Sequence, residues 1–239
     1  MPAKRGESAM PKPPRLGRLR ARSTADKDLR RSHLLNAAAE LFALTDFEGV
    51  TIAEIALRAG VAKGTAYLYF NCKEAVFLEL LQTGLDRWAA DLDQLLVDNA
   101  ASIQPEAVPC VITRSLAERP QLCRLLVLLH TVIEPQLDLA SARAFKGFLH
   151  ALVQRLSASL VQHIKGLSAP QADMLVLQIH ALVISVTQLA TPAPVIAAVL
   201  KEDPRLQNMQ VAFEPFLAAT LTSLLRGTVT ADTFTPAID

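Results

Sequence analysis

The stretch TIAEIALRAGVAKGTAYLYFNCKEAVF, from Thr51 to Phe77, constrains the fold more than any other part of the chain. It opens with Thr51, and Glu54 follows three residues later, which is the pattern of a capping box at the start of a helix. Gly60 then predicts the end of this helix, and only Val61 and Ala62 precede a second short helix. Two short helices joined by a tight turn that contains glycine are typical of a helix-turn-helix.

The remainder of the chain also predicts helices. Hydrophobic residues make up 51% of the 239 positions, while aromatic residues make up only 5%. A chain rich in Ala and Leu and poor in aromatic residues favours packed helices over sheets. Apolar residues recurring every three or four positions predict helices over residues 26–44, 51–59, 63–69, 73–99, 106–118, 121–132, 137–165, 169–190, 195–200 and 211–226.

The charge is distributed unevenly along the chain. Residues 1–31 contain 10 Lys or Arg against 3 Asp or Glu, whereas residues 32–239 contain 14 against 20. A basic N-terminus on a mildly acidic body indicates that one end meets a polyanion. We interpret residues 1–25 as a disordered basic arm, residues 26–82 as a helix-turn-helix domain and residues 83–239 as a second helical domain. An Arg-rich organellar targeting peptide is the alternative for the arm.

The helix-turn-helix concentrates residues that can contact DNA. In this motif the first helix crosses the phosphate backbone and the second enters the major groove. Hydroxyl groups, cations and a glycine that admits close backbone approach suit both tasks. The simpler alternatives are a helix cap for the threonine, solvated surface charges for the lysines, and packing between helices for one tyrosine. The candidates from this pattern are Thr51, Lys63, Gly64, Tyr67, Tyr69 and Lys73.

Residues 31–81 resemble the DNA-binding domain of the tetracycline-repressor (TetR) family of bacterial transcription regulators. The resemblance runs through LLNAAAELF, GVTIAEIALRAGVAKGTAYLYF and NCKEAVF. It implies an all-helical homodimer that reads a palindromic double-stranded DNA operator. It also implies a helical C-terminal domain that dimerises and binds a small-molecule effector, with the fourth helix carrying the response to the DNA-binding domain. By position it adds Thr65 to the DNA-contact candidates.

Two positions depart from the family's pattern. Ala62 stands where a serine often caps the recognition helix, and Cys72 stands where a serine often caps the fourth helix. We expect Asn71, with Glu74, to replace the second cap, and we expect no replacement for the first. Leu68 stands at a variable position that is often polar, and its side chain can contact a thymine methyl group.

Polar residues on the apolar C-terminal helices are candidates for an effector pocket. His130, Glu134 and His180, with Phe145 as an aromatic wall, are the candidate ligand contacts. The alternative is that each histidine is a structural residue with its hydrogen bonds satisfied. Cys110 and Cys123 can sense oxidants, although a buried free cysteine more often only packs.

An uncharged stretch raises the question of a membrane span. Residues 174–200 contain no Asp, Glu, Lys or Arg. Gln178, His180 and the two prolines Pro192 and Pro194 argue against a span. A helix that is apolar on nearly all sides is more simply buried against a second subunit. We therefore expect a cytoplasmic homodimer, with no membrane partner, whose interface is formed by the helices over residues 171–190 and 211–226.

These patterns leave three classes of function. The leading hypothesis is an operator-binding repressor that a small molecule releases; an activator would share the same features. An enzyme is disfavoured because no phosphate-binding loop, nucleophile elbow or metal-ligand spacing occurs in the sequence, and we expect neither cofactor nor metal. The third hypothesis is a dimeric DNA-binding regulator without a small-molecule ligand, which a solid C-terminal core would favour.

Overall fold

The computed structural model describes residues 16–98 and 107–230, with side chains for residues 26–98 and 107–229. Over these ranges every regular element is helical and there is no strand, which confirms the all-α fold. The chain divides into two compact units, Met1–Tyr69 and Phe70–Asp239. This division precedes the fourth helix, whereas the predicted boundary between residues 82 and 83 lies within it.

The first unit contains three helices and one short turn. These are α1 (Leu16–Leu44), a 3₁₀ turn (Phe47–Gly49), α2 (Ile52–Arg58) and α3 (Lys63–Tyr67). The apolar face of α1 is buried at the predicted spacing, and a Glu40–Arg58 ion pair of 2.6 Å joins α1 to α2. Side chains from all three helices form the small core, among them Leu34, Ala38, Phe42, Ile55 and Ala66.

Helix α1 begins ten residues earlier than the sequence predicted. It starts at Leu16, so residues 16–25 are helical rather than a disordered arm. Pro14 is the last proline before α1, and the Leu, Arg and Ala residues that follow are strong helix formers. The predicted disorder of residues 1–15 lies outside the described residues.

The second unit is built around α4. Its helices are α4 (Lys73–Asp98), α5 (Val108–Ala117), α6 (Pro120–Leu128), α7 (Leu139–His163), α8 (Ala169–Ala190), α9 (Pro194–Glu202) and α10 (Phe213–Thr230). Helix α4 packs against α5, α6 and α7, and its stripe of Leu81, Leu85, Trp88 and Leu92 is buried. The Trp88 indole Nε1–H donates to Ser115 Oγ at 3.0 Å inside this core. This burial explains why the whole of α4 belongs to the second unit.

The helix predicted over residues 121–132 ends in irregular turns. After α6 the chain forms a π turn, Leu129–Ile133, and a 3₁₀ turn, Glu134–Gln136. Pro135 accounts for the change, since it has no N–H to donate to residue 131 and its ring clashes with that carbonyl. The irregular turns carry both His130 and Glu134, two of the predicted ligand contacts.

Helices α8 and α10 pack on each other and retain exposed apolar side chains. Leu177 and Leu189 on α8 and Phe216 on α10 are each about half exposed. Within the described ranges α8 is the one helix long and apolar enough to cross a membrane by length and composition, and 33% of that window is buried. Helix α10 also continues past Gly227, its predicted end, to Thr230, because an interior glycine costs a helix only about 1 kcal/mol.

Candidate DNA-binding surface and interior cavity

The start of α2 is fixed by the predicted capping box. The Glu54 N–H donates to Thr51 Oγ1 at 3.2 Å, and the Thr51 N–H donates to Glu54 Oε2 at 2.8 Å. Both donors would otherwise lack partners at the helix end. Thr51 is exposed, so its side chain serves as a cap and also remains accessible on the surface.

The turn between α2 and α3 depends on Gly60. Its φ of +69° lies in the left-handed region, which L side chains rarely adopt. The Gly60 N–H donates to the Leu57 carbonyl at 3.1 Å, and the Val61 N–H donates to the Ala56 carbonyl at 2.9 Å. These two bonds form a Schellman motif, which ends α2 and directs the chain into α3 within three residues.

Helix α3 presents one exposed face and buries the other. Ala66 is 1% exposed and anchors the helix in the core, whereas Lys63 and Gly64 are exposed and Tyr67 and Leu68 are 48% and 83% exposed. Leu68, the residue that follows α3, lies exposed beside Tyr67. The face therefore combines a cation, a glycine, a phenol and an apolar side chain.

Two further predicted residues lie at the edge of this face. Thr65 and Tyr69 are both partly buried, and the Tyr69 carbonyl accepts a hydrogen bond of 3.4 Å from Arg31 of α1. Tyr69 lies in the turn after α3 and is partly buried, whereas Tyr67 is on α3 and 48% exposed, so the two tyrosines differ in environment. Ala62 precedes α3 and forms no side-chain cap, in agreement with the departure noted in the sequence.

Lys73 is the first residue of α4 and belongs to the second unit. The residue just before it is Cys72 rather than Asn71, whose side chain was expected to cap this helix. The Cys72 thiol interacts with the backbone N–H groups of Ala75 and Glu74, while burial raises its pKa. Cysteine therefore takes the capping position that serine often fills in the resembled family.

The second unit contains a cavity of about 200 Å³. Apolar side chains from α4 to α8 form most of its wall. Helix α7 contributes seven residues to the wall, among them Lys146, Leu149, Val153, Leu156 and Leu160, which recur at helical spacing. The wall also contains Leu85, Trp88, Leu92, Leu96, Ile112, Leu116, Leu126, Leu152, Val176, Leu177, Ile179 and Val183.

The polar residues of the cavity wall are His130, Lys146, Ser159 and His180. His130 Nε2 lies 3.0 Å from His180 Nε2, although 50 residues separate the two in sequence. Behind them Glu134, which is not in the wall, lies 3.0 Å from His130 Nδ1 and 2.6 Å from Lys146 Nζ. Four side chains from the π turn, the 3₁₀ turn, α7 and α8 therefore form one connected network.

The carboxylate of Glu134 assigns a proton to Nδ1 of His130, and this assignment constrains the contact between the two imidazoles. Since a carboxylate only accepts, His130 Nδ1 donates to Glu134, and in the neutral ring His130 Nε2 accepts from His180 Nε2–H. Burial is the main cause that lowers the pKa of His180; a positive charge on His130 or Lys146 acts in the same direction, and the Glu134 carboxylate acts in the opposite direction. Burial alone raises the pKa of Glu134, but hydrogen bonds from Lys146 and His130 bring it below its ordinary value.

Phe145 does not belong to the cavity wall. Its ring is 1% exposed, packs in the core and stacks on Phe148 with the centroids 6.4 Å apart. Its neighbour Lys146 is rotated about 100° around α7 and faces the cavity instead. Lys146 and Ser159 were not among the sequence candidates. The spacing of Lys146 with Leu149, Val153 and Leu156 is the signal that identifies this face.

The remaining reactive groups have simple environments. Burial raises the pKa of the Cys123 thiol to about 11, so this cysteine remains a protonated, packed side chain. Cys110 is exposed on α5. Among the described residues no group of three or more His, Cys, Asp or Glu is arranged to hold a metal ion.

Family models match most of the chain. One described as "Tetracyclin repressor-like, C-terminal domain" matches residues 82–232, and one described as "Bacterial regulatory proteins, tetR family" matches residues 34–80. The two matches meet within α4. The C-terminal match alone spans more than half of the chain.

Relatives and solved structures agree with this assignment. An uncharacterized HTH-type transcriptional regulator, YfiR of Bacillus subtilis, is 35% identical over 68 residues, 28% of this chain and 33% of its own length. The HTH-type transcriptional repressor KstR2 of Rhodococcus jostii is 39% identical over 66 residues, which are 28% of this chain and 32% of its own length. The chain thus spans about a third of the length of these curated relatives. The solved structure of a TetR transcriptional regulator from Rhodococcus sp. RHA1 shares the fold, with a TM-score of 0.57 and 21% identity. The match covers 87% of this chain and 98% of the Rhodococcus chain.

Proposed function

Since this chain belongs to the tetracycline-repressor (TetR) family of helix-turn-helix transcriptional regulators, we propose that it is a homodimeric repressor. It binds a palindromic DNA operator in the cytoplasm and leaves it when a small effector enters the cavity of the second unit. The exposed face of α3 supports the proposal that the protein binds DNA. The cavity supports the proposal that it binds an effector.

The α3 face suits the major groove in size and chemistry. Five residues at about 1.5 Å each give a helix of about 7.5 Å, which fits a groove about 12 Å wide. Lys63 supplies a cation for phosphate or a guanine edge, Tyr67 a hydroxyl donor and Leu68 an apolar contact for a thymine methyl. Thr51, Gly64, Thr65, Tyr69 and Lys73 complete the proposed contacts.

The exposed apolar side chains of α8 and α10 support the homodimer. Leu177, Leu189 and Phe216 would be covered if the two helices packed on the same pair from a second copy. Gln178 and His180 lie in the middle of α8, where a lipid-exposed helix would have to bury polar groups in hydrocarbon. A subunit interface is therefore the better explanation for the apolar character of α8.

The cavity favours an effector over a regulator whose helical body serves only for dimerisation. A core packed to ordinary density contains few voids larger than a water molecule, whereas this one contains about 200 Å³. The cavity combines a mostly apolar wall with a few converging polar groups, as ligand sites do. Its wall includes Leu85, Trp88 and Leu92 of α4, the helix that begins four residues after Tyr69, the last residue of the first unit.

The proposal is tested by the binding of the purified protein to the DNA upstream of its own gene. We expect a symmetric footprint, a dimer by light scattering, and an affinity that falls steeply with salt. A Tyr67→Phe variant, which lacks only the hydroxyl, should bind this DNA more weakly. The control is Phe148→Tyr, which adds a hydroxyl in the second unit and should leave DNA affinity unchanged. A monomer, or binding without symmetry, would contradict the proposal. A reporter gene driven by the same DNA separates repression from activation.

A further inference from the structure

The polar end of the cavity favours one chemical class of ligand, which the proposed function does not specify. Two side chains of the wall, Lys146 and His180, can donate hydrogen bonds to a ligand, and Ser159 adds a hydroxyl, whereas the Nδ1–H of His130 is already donated to Glu134. The one carboxylate of the network, Glu134, is not part of the wall and lies behind the donors. A ligand that enters the cavity therefore meets donors and a cation rather than an acid.

The arrangement also positions these donors. Glu134 Oε1 accepts from Lys146 Nζ at 2.6 Å, and Glu134 Oε2 accepts from His130 Nδ1 at 3.0 Å. One carboxylate thus orients an ammonium and an imidazole toward the same end of the cavity. The ammonium retains two further N–H donors for a ligand. Such a pre-oriented set matches a planar anionic head with two acceptor oxygens.

The size of the cavity limits the rest of the ligand. A cavity of about 150 Å³ with apolar walls binds benzene, which has six carbons. By the same proportion, 200 Å³ accommodates about eight carbons. Beyond the polar end, the wall consists of Leu, Ile, Val and Trp side chains, so this part of the ligand is hydrocarbon.

From these observations we propose that the effector is a small amphipathic carboxylate of about eight carbons, whose hydrocarbon fills the cavity and whose carboxylate accepts from Lys146 and from the Nε2–H of His180, in place of His130 Nε2. This inference rests on the proposed function, since it names the ligand class of the same cavity. The carboxylate separates the two imidazoles, which are in contact at 3.0 Å in the structure. It thereby changes the contact between the π turn and α8.

The experiment compares sodium octanoate with octan-1-ol by titration calorimetry on the full-length protein. The two share a hydrocarbon chain and differ in charge. We expect octanoate to bind at least about tenfold more tightly, because a charge-assisted hydrogen bond contributes this much or more. Equal affinities, or no binding of octanoate, would overturn the inference.

Variants of the polar end and of the wall locate the site. Lys146→Met should weaken octanoate binding about tenfold and leave octan-1-ol binding unchanged. Lys146→Arg should restore the preference for octanoate over octan-1-ol. The matched control is Lys165→Met, at an exposed lysine outside the cavity wall. Val183→Phe should weaken both ligands by filling the cavity. If the folding of this variant is impaired, by circular dichroism, Ile179→Phe replaces it. An unchanged octanoate affinity in Lys146→Met would contradict the assigned head-group site.

The two proposals fail in different ways. Operator binding without octanoate tests the DNA-binding function alone. A protein that binds its operator but not octanoate retains that function and loses the carboxylate inference. A protein that binds octanoate through Lys146, with no change in operator affinity, retains the ligand class and loses the effector role. The same preparation serves for both measurements.

Discussion

The two units of this chain differ in how their candidate binding residues are arranged along the sequence. In the first unit most of the candidate contacts lie on or directly after one short helix, α3, within a few residues of the turn that positions it. In the second unit the candidate contacts surround a cavity, and they come from five helices and the π turn, spread over residues 85–183. A local site depends on backbone conformation at single positions, whereas a distributed site depends on packing.

The largest effect that this comparison predicts concerns two glycines of the first unit. In Gly60→Ala the new Cβ meets no atom within 4 Å, but the φ of +69° remains strained, which costs about 1–2 kcal/mol. We expect a lower melting temperature and loss of operator binding together. In Gly64→Ala the Cβ also meets open space and φ is ordinary, so stability should be unchanged or slightly higher.

DNA affinity distinguishes the two variants. The added methyl of Gly64→Ala lies on the exposed face of α3, where it should hold the backbone away from DNA and weaken binding by about tenfold or more, the effect of about 1.4 kcal/mol. Thermal unfolding and fluorescence anisotropy, run in parallel, provide both readouts. Full operator affinity in Gly64→Ala would show that the backbone at this position does not approach the DNA closely.

The first unit was largely predictable because its determinants are local. The Thr51–Glu54 capping box and the left-handed Gly60 depend on residues within four positions of each other, so they can be identified in the sequence. The uncapped Ala62 was predicted for the same reason. The start of α1 was misjudged because basic residues after Pro14 were interpreted as a disordered arm, although Leu, Arg and Ala are also good helix formers.

The cavity was only partly predictable. Polar residues on apolar helices indicated His130, Glu134 and His180, and the structure brings these three into one network. Their contact depends on the π turn that Pro135 imposes, and no periodicity in the sequence predicts such a turn. Phe145 is a sequence candidate that does not line the cavity, whereas the spacing of Lys146 with Leu149 and Val153 on α7 places the lysine in the wall.

The next effect in size concerns a surface charge in each unit. Lys63→Gln removes an exposed cation from the α3 face, and Lys165→Gln removes one from the loop between α7 and α8. Each phosphate contact contributes about 0.9 to the slope of log K against log salt, so the loss of two in a dimer should flatten the slope by about 1.8. We expect this change for Lys63→Gln only, measured by anisotropy at five salt concentrations. Equal slopes for the two variants would mean that Lys63 contacts no phosphate.

The smallest effect is the pH dependence of stability, which reports on the second unit. The folded state holds the pKa of His180 below its ordinary 6.5. Below pH 6.5 the unfolded chain therefore takes up a proton that the folded chain does not, so stability falls as the pH is lowered through this window and is unaffected above it. Between pH 8 and 5.5 the melting temperature of the wild type should fall more than that of His180→Gln. The difference should be a few degrees at most, since about 1 kcal/mol moves the midpoint by roughly 2–4 °C in a chain of this size.

A matched variant isolates this effect from the other histidines. His150→Gln removes an exposed imidazole from α7, and its pH profile should follow that of the wild type. The charged groups that act on His180 are His130, Glu134 and Lys146, and all three remain in both variants. If His180→Gln loses as much stability as the wild type, the cavity network does not disfavour protonation of His180. His180, the less exposed of the two imidazoles, would then be hydrated like His130 and Lys146, whose side chains are 48% and 59% exposed.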